Sequence, residues 1–179
     1  MSSVATIKRN VIPPHLEVKG GYALSGILKV SGAKNSSLVL MAAALLTKER
    51  LLIKNVPQLT DMNVMAEILS NLGAKLTKKN NSIEINSESI HNAELPYQLV
   101  HSLRASFFCI GPLLARLGVA KIPLPGGCNI GARPVNEHIN GLKALGAEVE
   151  VNNDVVKARV STKNKILRGA NISLEYPSV

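Results

Sequence analysis

The strongest constraint on the fold is that the chain repeats itself. One stretch opens at Ser31, SGAKNSSLVLMAAALLTKERLLIKNVPQLTDMNVMAEILSNLGAKLTKKNNSIEIN. A second opens at Leu103, LRASFFCIGPLLARLGVAKIPLPGGCNIGARPVNEHINGLKALGAEVEVNNDVVKARV. Each begins with a small-residue turn, continues as an apolar helix, and passes through a short strand (LLIKNV or AKIPLP) into a second helix closing on LGAK or LGAE; a strand hairpin with an Asn-rich turn follows. Self-similarity of this kind means one supersecondary unit used at least twice. In the first copy Thr60 or Asp61 is expected to cap the second helix. Val64, Ile68, Leu69 and Leu72 share one face, and Gly73 suits the left-handed position just past the end. In the second copy Pro134 is placed at the first helical position, Ile139, Leu142 and Leu145 share a face, and Gly146 closes the helix. SIEIN and VVKARV alternate apolar and polar residues, as half-buried strands do. One-faced helices need a sheet to cover, so the expected fold class is α/β (α+β), built from repeated strand–helix units.

Apolar residues make up 46% of the 179 and aromatics 3%, with no Trp, so the core must be made of Leu, Ile, Val and Ala. The longest apolar run, LVLMAAALL, falls short of the ~20 residues a bilayer span needs, and the N-terminus lacks the apolar region of a signal peptide. Two cysteines make no disulfide framework and fit a reducing compartment. The expectation is a cytoplasmic protein with no membrane partner. The net charge of +9 favours anionic partners. The basic residues are scattered and no aromatics interleave with them, which weighs against nucleic acid.

The copies differ most in one place. Between strand and second helix the first copy has NVPQLTDMN, and the second has the longer, Gly-rich LPGGCNIGARPVN. A departure from an internal repeat is where function is expected to be grafted. Gly126, Gly127 and Gly131 let the backbone around Cys128 bend sharply. A thiol of ordinary pKa, about 8.5, can donate a proton; beside a cation it becomes a nucleophilic thiolate; in a tight loop it can also be an apolar filler. Cys109, within SFFCIGPLLA, reads as core. Arg133 precedes a helix start, where free N–H groups and the helix dipole favour anions. Arg104 and Lys34 occupy nearly equivalent points at the first helix of each copy, Lys34 beside Asn35; a cation there opposes the dipole unless an anion sits between. The four histidines have no metal-ligand spacing, and GGCNIG lacks the Gly-Lys-Ser/Thr ending of a P-loop, so neither a metal nor another cofactor is expected. GANISLEYPSV reads as a strand leading into a third copy, and a chain stopping on an unpaired apolar strand reads as truncated.

SGAKNS, LRAS, GPLLAR, LPGGCNIGARPV and GLKALGA resemble the UDP-N-acetylglucosamine 1-carboxyvinyltransferase family, from about Leu16 to Val179. The resemblance implies an inside-out α/β barrel fold and enolpyruvyl transfer from phosphoenolpyruvate to UDP-N-acetylglucosamine, the first committed step of peptidoglycan synthesis. On this reading Cys128 is the acid, and the thiol that fosfomycin alkylates. Lys34 and Asn35 contact phosphoenolpyruvate and the sugar nucleotide, and Arg104 and Arg133 bind phosphate. Arg133, Pro134, Val135, Asn136 and Glu137 contact the nucleotide, with Asn136 where an aspartate is common in the family; Tyr176 to Val179 would contact it too. The implied division is residues 1–30 as strands of a domain completed by a missing C-terminal half, unit one over 31–102, unit two over 103–167 and the start of unit three over 168–179. The family's aspartate base and a further arginine would lie beyond Val179, so the chain alone is expected to be inactive. Two other readings stay in view: a 3-phosphoshikimate 1-carboxyvinyltransferase-like enzyme, against which the cysteine stretch argues, and a basic nucleic-acid-binding fragment.

Overall fold

The computed structural model describes residues 15–125, 135–161 and 166–175. The chain divides into two units, Met1–Val30 and Ser31–Val179. Residues 15–30, the described part of the first, contain no helix or strand. An extended segment becomes a strand only when its N–H and C=O groups find a ladder partner, and the described residues of this unit offer none.

The second unit realises the repeat. In the first copy, helix α1 (Lys34–Ala43) and a 3-10 turn (Ala44–Leu46) lead to strand β1 (Arg50–Lys54), helix α2 (Thr60–Asn71), and the hairpin β2 (Lys75–Lys79) and β3 (Ser82–Asn86). A short helix α3 (Tyr97–Ser102), which the repeat did not predict, connects the copies. The second copy has a 3-10 helix (Arg104–Cys109), α4 (Ile110–Leu117), β4 (Val119–Pro123), α5 (Asn136–Ala144), and the hairpin β5 (Ala147–Asn152) and β6 (Val155–Val160). Each copy forms an antiparallel three-stranded sheet in the same spatial order, β1-β3-β2 and β4-β6-β5. The closing hairpin strand is central both times, so it must carry the inward apolar residues. Ile83 and Ile85 on β3, and Val156 and Ala158 on β6, are buried, while Glu84, Lys157 and Arg159 alternate outward. The hairpin turns use Asn as expected: Asn80 (φ 50°), and Asn153 (φ 49°) followed by Asp154 (φ 58°), the left-handed pair of a type I′ turn.

The helix ends follow local chemistry, with two corrections. Gly73 takes φ 102°; its N–H donates to Ser70 O at 2.9 Å and that of Ala74 to Leu69 O at 3.0 Å, which together close a Schellman motif. Gly146 likewise has φ 89°. Neither Thr60 nor Asp61 caps α2, however. Its N-cap is Leu59, with no side-chain hydrogen bond, because the Asp61 carboxylate is drawn to a lysine on another element. And α5 begins at Asn136 behind an N-cap at Val135, so the first helical position is not Pro134, which lies outside the described residues. The first helix of the second copy is split where the sequence implied one helix. Pro112 has no N–H to offer the carbonyl four residues back, so the Arg104–Cys109 turns close as a 3-10 helix and α4 starts at Ile110.

Helices of both copies share one core. Leu38, Met41 and Leu45 pack with Met65, Ile68 and Leu69 of α2 and with Leu113 and Leu114 of α4, all within 1% of complete burial. Arg116 on α4 pins the two copies. Its guanidinium donates to Leu45 O (2.9 Å) and Thr47 O (2.8 Å) through one nitrogen and to Ser87 O (3.2 Å) through the other, so one planar fork satisfies carbonyls of two separate loops. Cys109 is fully buried, as read from sequence, and burial pushes its thiol up to about 12. In the native chain Cys109 is therefore expected to be silent to a thiol reagent such as DTNB at pH 8 and to appear only in denaturant. Immediate labelling at Cys109, mapped by mass spectrometry, would contradict this packing.

Segment 166–175 carries no strand, contrary to the reading of GANISLEYPSV as one. It is held by side-chain and single backbone contacts rather than by a ladder. The Arg168 N–H donates to Leu145 O at 2.9 Å, and Leu167 packs against the core.

Candidate functional site

Two helix starts and one turn carry the described site residues. Lys34 is the first residue of α1 and Asn35 the second, both exposed. The preceding SGA turn reaches this place through Gly32. A Cβ on Gly32 would lie 1.9 Å from the Asn55 carbonyl oxygen, and Asn55 is itself left-handed at φ 56° at the end of β1. Only glycine lets these two backbones touch. The contact brings the start of α1 beside the start of α2, where Lys34 Nζ meets Asp61 Oδ2 at 2.8 Å. With both side chains partly in solvent, the pair adds at most about 1 kcal/mol to stability; its effect is to hold the ammonium in one place. Nothing in the sequence couples positions 34 and 61; local pattern offers Asp61 only the role of a cap.

Arg104 opens the 3-10 helix and is half-buried. Its charge is felt at His138, on the first turn of α5. The His138 ring stands edge-on to Phe107, 5.5 Å between centroids at 90°, with Phe108 at 6.3 Å. Desolvation against these rings lowers the His138 pKa first; the Arg104 cation lowers it further, and Glu137 opposes both. His138 still has one exposed side, so the consequence is modest in size but has a definite sign. With the folded pKa below the unfolded value near 6.5, the stabilising contribution is complete above pH 6.5 and is lost as pH falls through the folded pKa. The melting temperature is expected to decline across that window, and His138→Gln to flatten the decline. An identical slope in wild type and variant would rule His138 out as its source.

Val135 is buried as the N-cap of α5, Asn136 is exposed, and Glu137 is 8% exposed, its Oε2 accepting a hydrogen bond from the Glu175 N–H at 3.0 Å. Arg104 and the head of α5 thus come together, while Lys34 is held by Asp61 on α2. Cys128, Arg133 and Pro134 lie outside the described residues. A surface pocket of about 450 Å³ opens elsewhere, between the β1–α2 loop and the β2–β3 hairpin, against Gln58, Asn63, Lys78 and Asn80; it includes none of the expected site residues.

The described residues thus form a helix–sheet unit used twice, with Lys34 and Arg104 at the start of the first helical element of each copy. Over residues 18–179 the chain matches the EPSP synthase (3-phosphoshikimate 1-carboxyvinyltransferase) family, and it belongs to that family. Among its relatives, the UDP-N-acetylglucosamine 1-carboxyvinyltransferase of Prochlorococcus marinus (strain NATL2A) is 86% identical over 179 residues, which is 100% of this chain and 39% of the relative. The protein of the same name from strain MIT 9313 is 56% identical over 179 residues and 41% of its own length. The chain thus spans about two-fifths of the relatives it matches. Solved structures agree in fold. The enolpyruvyl transferase NikO from Streptomyces tendae superposes with a TM-score of 0.67 at 24% identity over 79% of this chain and 31% of that one. EPSP synthase from Acinetobacter baumannii gives 0.52 at 19% over 78% and 31%. The α/β fold class read from the repeat is the one observed. No helix among the described residues is long and apolar enough to cross a membrane.

Proposed function

We propose that the chain is part of an enzyme that transfers enolpyruvate from phosphoenolpyruvate to the 3′-hydroxyl of UDP-N-acetylglucosamine, in the cytoplasm, at the first committed step of peptidoglycan synthesis. The observation that carries this reading is 86% identity, over every residue of the chain, to relatives named UDP-N-acetylglucosamine 1-carboxyvinyltransferase. The 3-phosphoshikimate alternative is the weaker one: the EPSP synthase structure from Acinetobacter baumannii shares 19% identity with this chain, against 86% for the NATL2A relative.

The chemistry is addition followed by elimination. A proton added to C3 of phosphoenolpyruvate makes C2 electrophilic. The sugar hydroxyl attacks C2 and gives its proton to a base. C3 then loses a proton as the C2–O bond to phosphate breaks, which restores the enol ether and releases inorganic phosphate. Cys128 takes the role of the C3 acid, because a thiol can give a proton near neutral pH. Lys34, Arg104 and Arg133 face the carboxylate and phosphate, and their charge is most useful as phosphate leaves. Asn35, Pro134, Val135, Asn136 and Glu137 belong to the sugar-nucleotide side.

The test is a chimera in which this chain replaces the matching part of the NATL2A relative. Release of phosphate from phosphoenolpyruvate that depends on UDP-N-acetylglucosamine supports the reading; dependence on shikimate 3-phosphate instead would replace it. The resemblance places the aspartate base outside these 179 residues, so the 179-residue chain assayed by itself is expected to show no turnover.

A further inference from the structure

Glu137 is the second residue of α5, in the turn where free N–H groups and the helix dipole favour a carboxylate. It is 8% exposed, and its Oε1 has no hydrogen-bond partner among the described residues. Its Oε2 accepts from the Glu175 backbone N–H at 3.0 Å, a contact between residues 38 apart in sequence. A buried carboxylate therefore relies on one charge-assisted bond, and losing that donor would leave an anion desolvated without compensation. At the other end of α5, the Arg168 N–H donates to Leu145 O at 2.9 Å. Residues 166–175 have no ladder of their own, so these contacts at the head and tail of α5 set how the segment crosses the helix.

We propose that Glu137 is a positioning residue: its carboxylate fastens the 166–175 segment across the head of α5, and it acts on the sugar-nucleotide side through Glu175 rather than by touching the ligand. The consequence for the ligand rests on the function proposed above; the latch itself does not. The family resemblance places Glu137 among ligand contacts, and nothing in the sequence links positions 137 and 175.

Hydrogen exchange on the 179-residue chain tests the latch. Glu137→Ala removes the acceptor, and Glu175→Pro removes the donor. Each is expected to speed exchange in 166–175 about tenfold while leaving β3 and β6 unchanged. The double variant should exchange no faster than either single one. Glu137→Gln keeps a carbonyl acceptor and should restore protection to within about threefold of wild type. Unchanged exchange in Glu137→Ala, or additive effects in the double variant, would overturn the latch. Should Glu137→Ala fail to fold, Glu137→Gln and Glu175→Pro still decide: protection kept in the first and lost in the second supports the latch, and equal protection in both refutes it. In the chimera, Glu137→Ala should raise KM for UDP-N-acetylglucosamine about tenfold with kcat nearly unchanged, and Glu137→Gln should recover it. An unmoved KM would overturn the positioning role even with the latch present. A chimera that is inactive with wild-type sequence would count against the proposed function alone, with the exchange result still deciding the latch.

Discussion

Cys128→Ser in the chimera is expected to lower phosphate release about 10²–10⁴-fold, the range of a single general acid. A serine hydroxyl is a far weaker acid than a thiol, so it fills nearly the same space yet cannot deliver a proton to C3 near neutral pH. The same change should abolish covalent labelling by fosfomycin. Cys109→Ala serves as control: Cys109 is fully buried in the helical core, so its loss should cost stability and leave the chemistry alone. Turnover in Cys128→Ser within twofold of wild type would remove the thiol from the mechanism. If only kcat falls and KM for phosphoenolpyruvate is unchanged, the thiol acts in the transition state, as an acid should.

Gly32→Ala should cause the second large loss, this one in the fold. The new Cβ would sit 1.9 Å from the Asn55 carbonyl oxygen, and that atom is backbone, so it cannot rotate away. Relieving the overlap must separate the SGA turn from the end of β1, at a cost on the order of 1–3 kcal/mol. For a chain of this size that lowers the melting temperature by roughly 2–4 °C per kcal/mol. Gly141→Ala is the matched comparison. It lies inside α5 with nothing within 4 Å of its ideal Cβ, so alanine there is expected to be neutral or stabilising by up to about 1 kcal/mol. Calorimetry on the three proteins checks both expectations; equal melting temperatures for the two variants would mean the Gly32–Asn55 approach is dispensable. In the chimera, Gly32→Ala should also weaken phosphoenolpyruvate binding, because moving the turn moves Lys34 away from Asp61. A variant that loses stability and keeps KM would show that the turn supports the fold only.

Much of the scaffold was legible because its determinants are local. The period of Ile68, Leu69 and Leu72, the glycines at 73 and 146, and the Asn turns at 80 and 153 are read within a few residues, and each appears where the pattern put it. The errors were also local in origin. Asp61 looked like a cap because caps are read from neighbours, whereas its carboxylate went to Lys34, on a different helix. The break between the 3-10 turn and α4 followed from Pro112, a signal present in the sequence but outweighed by the apolar run around it.

The sequence by itself determined the repeat, the sheet-forming hairpins and a short set of cationic and thiol candidates, because periodicity and turn chemistry act over a handful of bonds. Only the tertiary structure decided that Gly32 lies against Asn55, that Arg116 spans two loops, that Lys34 is held by Asp61 and that Glu137 grips Glu175. Each of these joins residues from separate elements. Their energies come from closing distances that no local pattern encodes, so they exist only once the helices have packed.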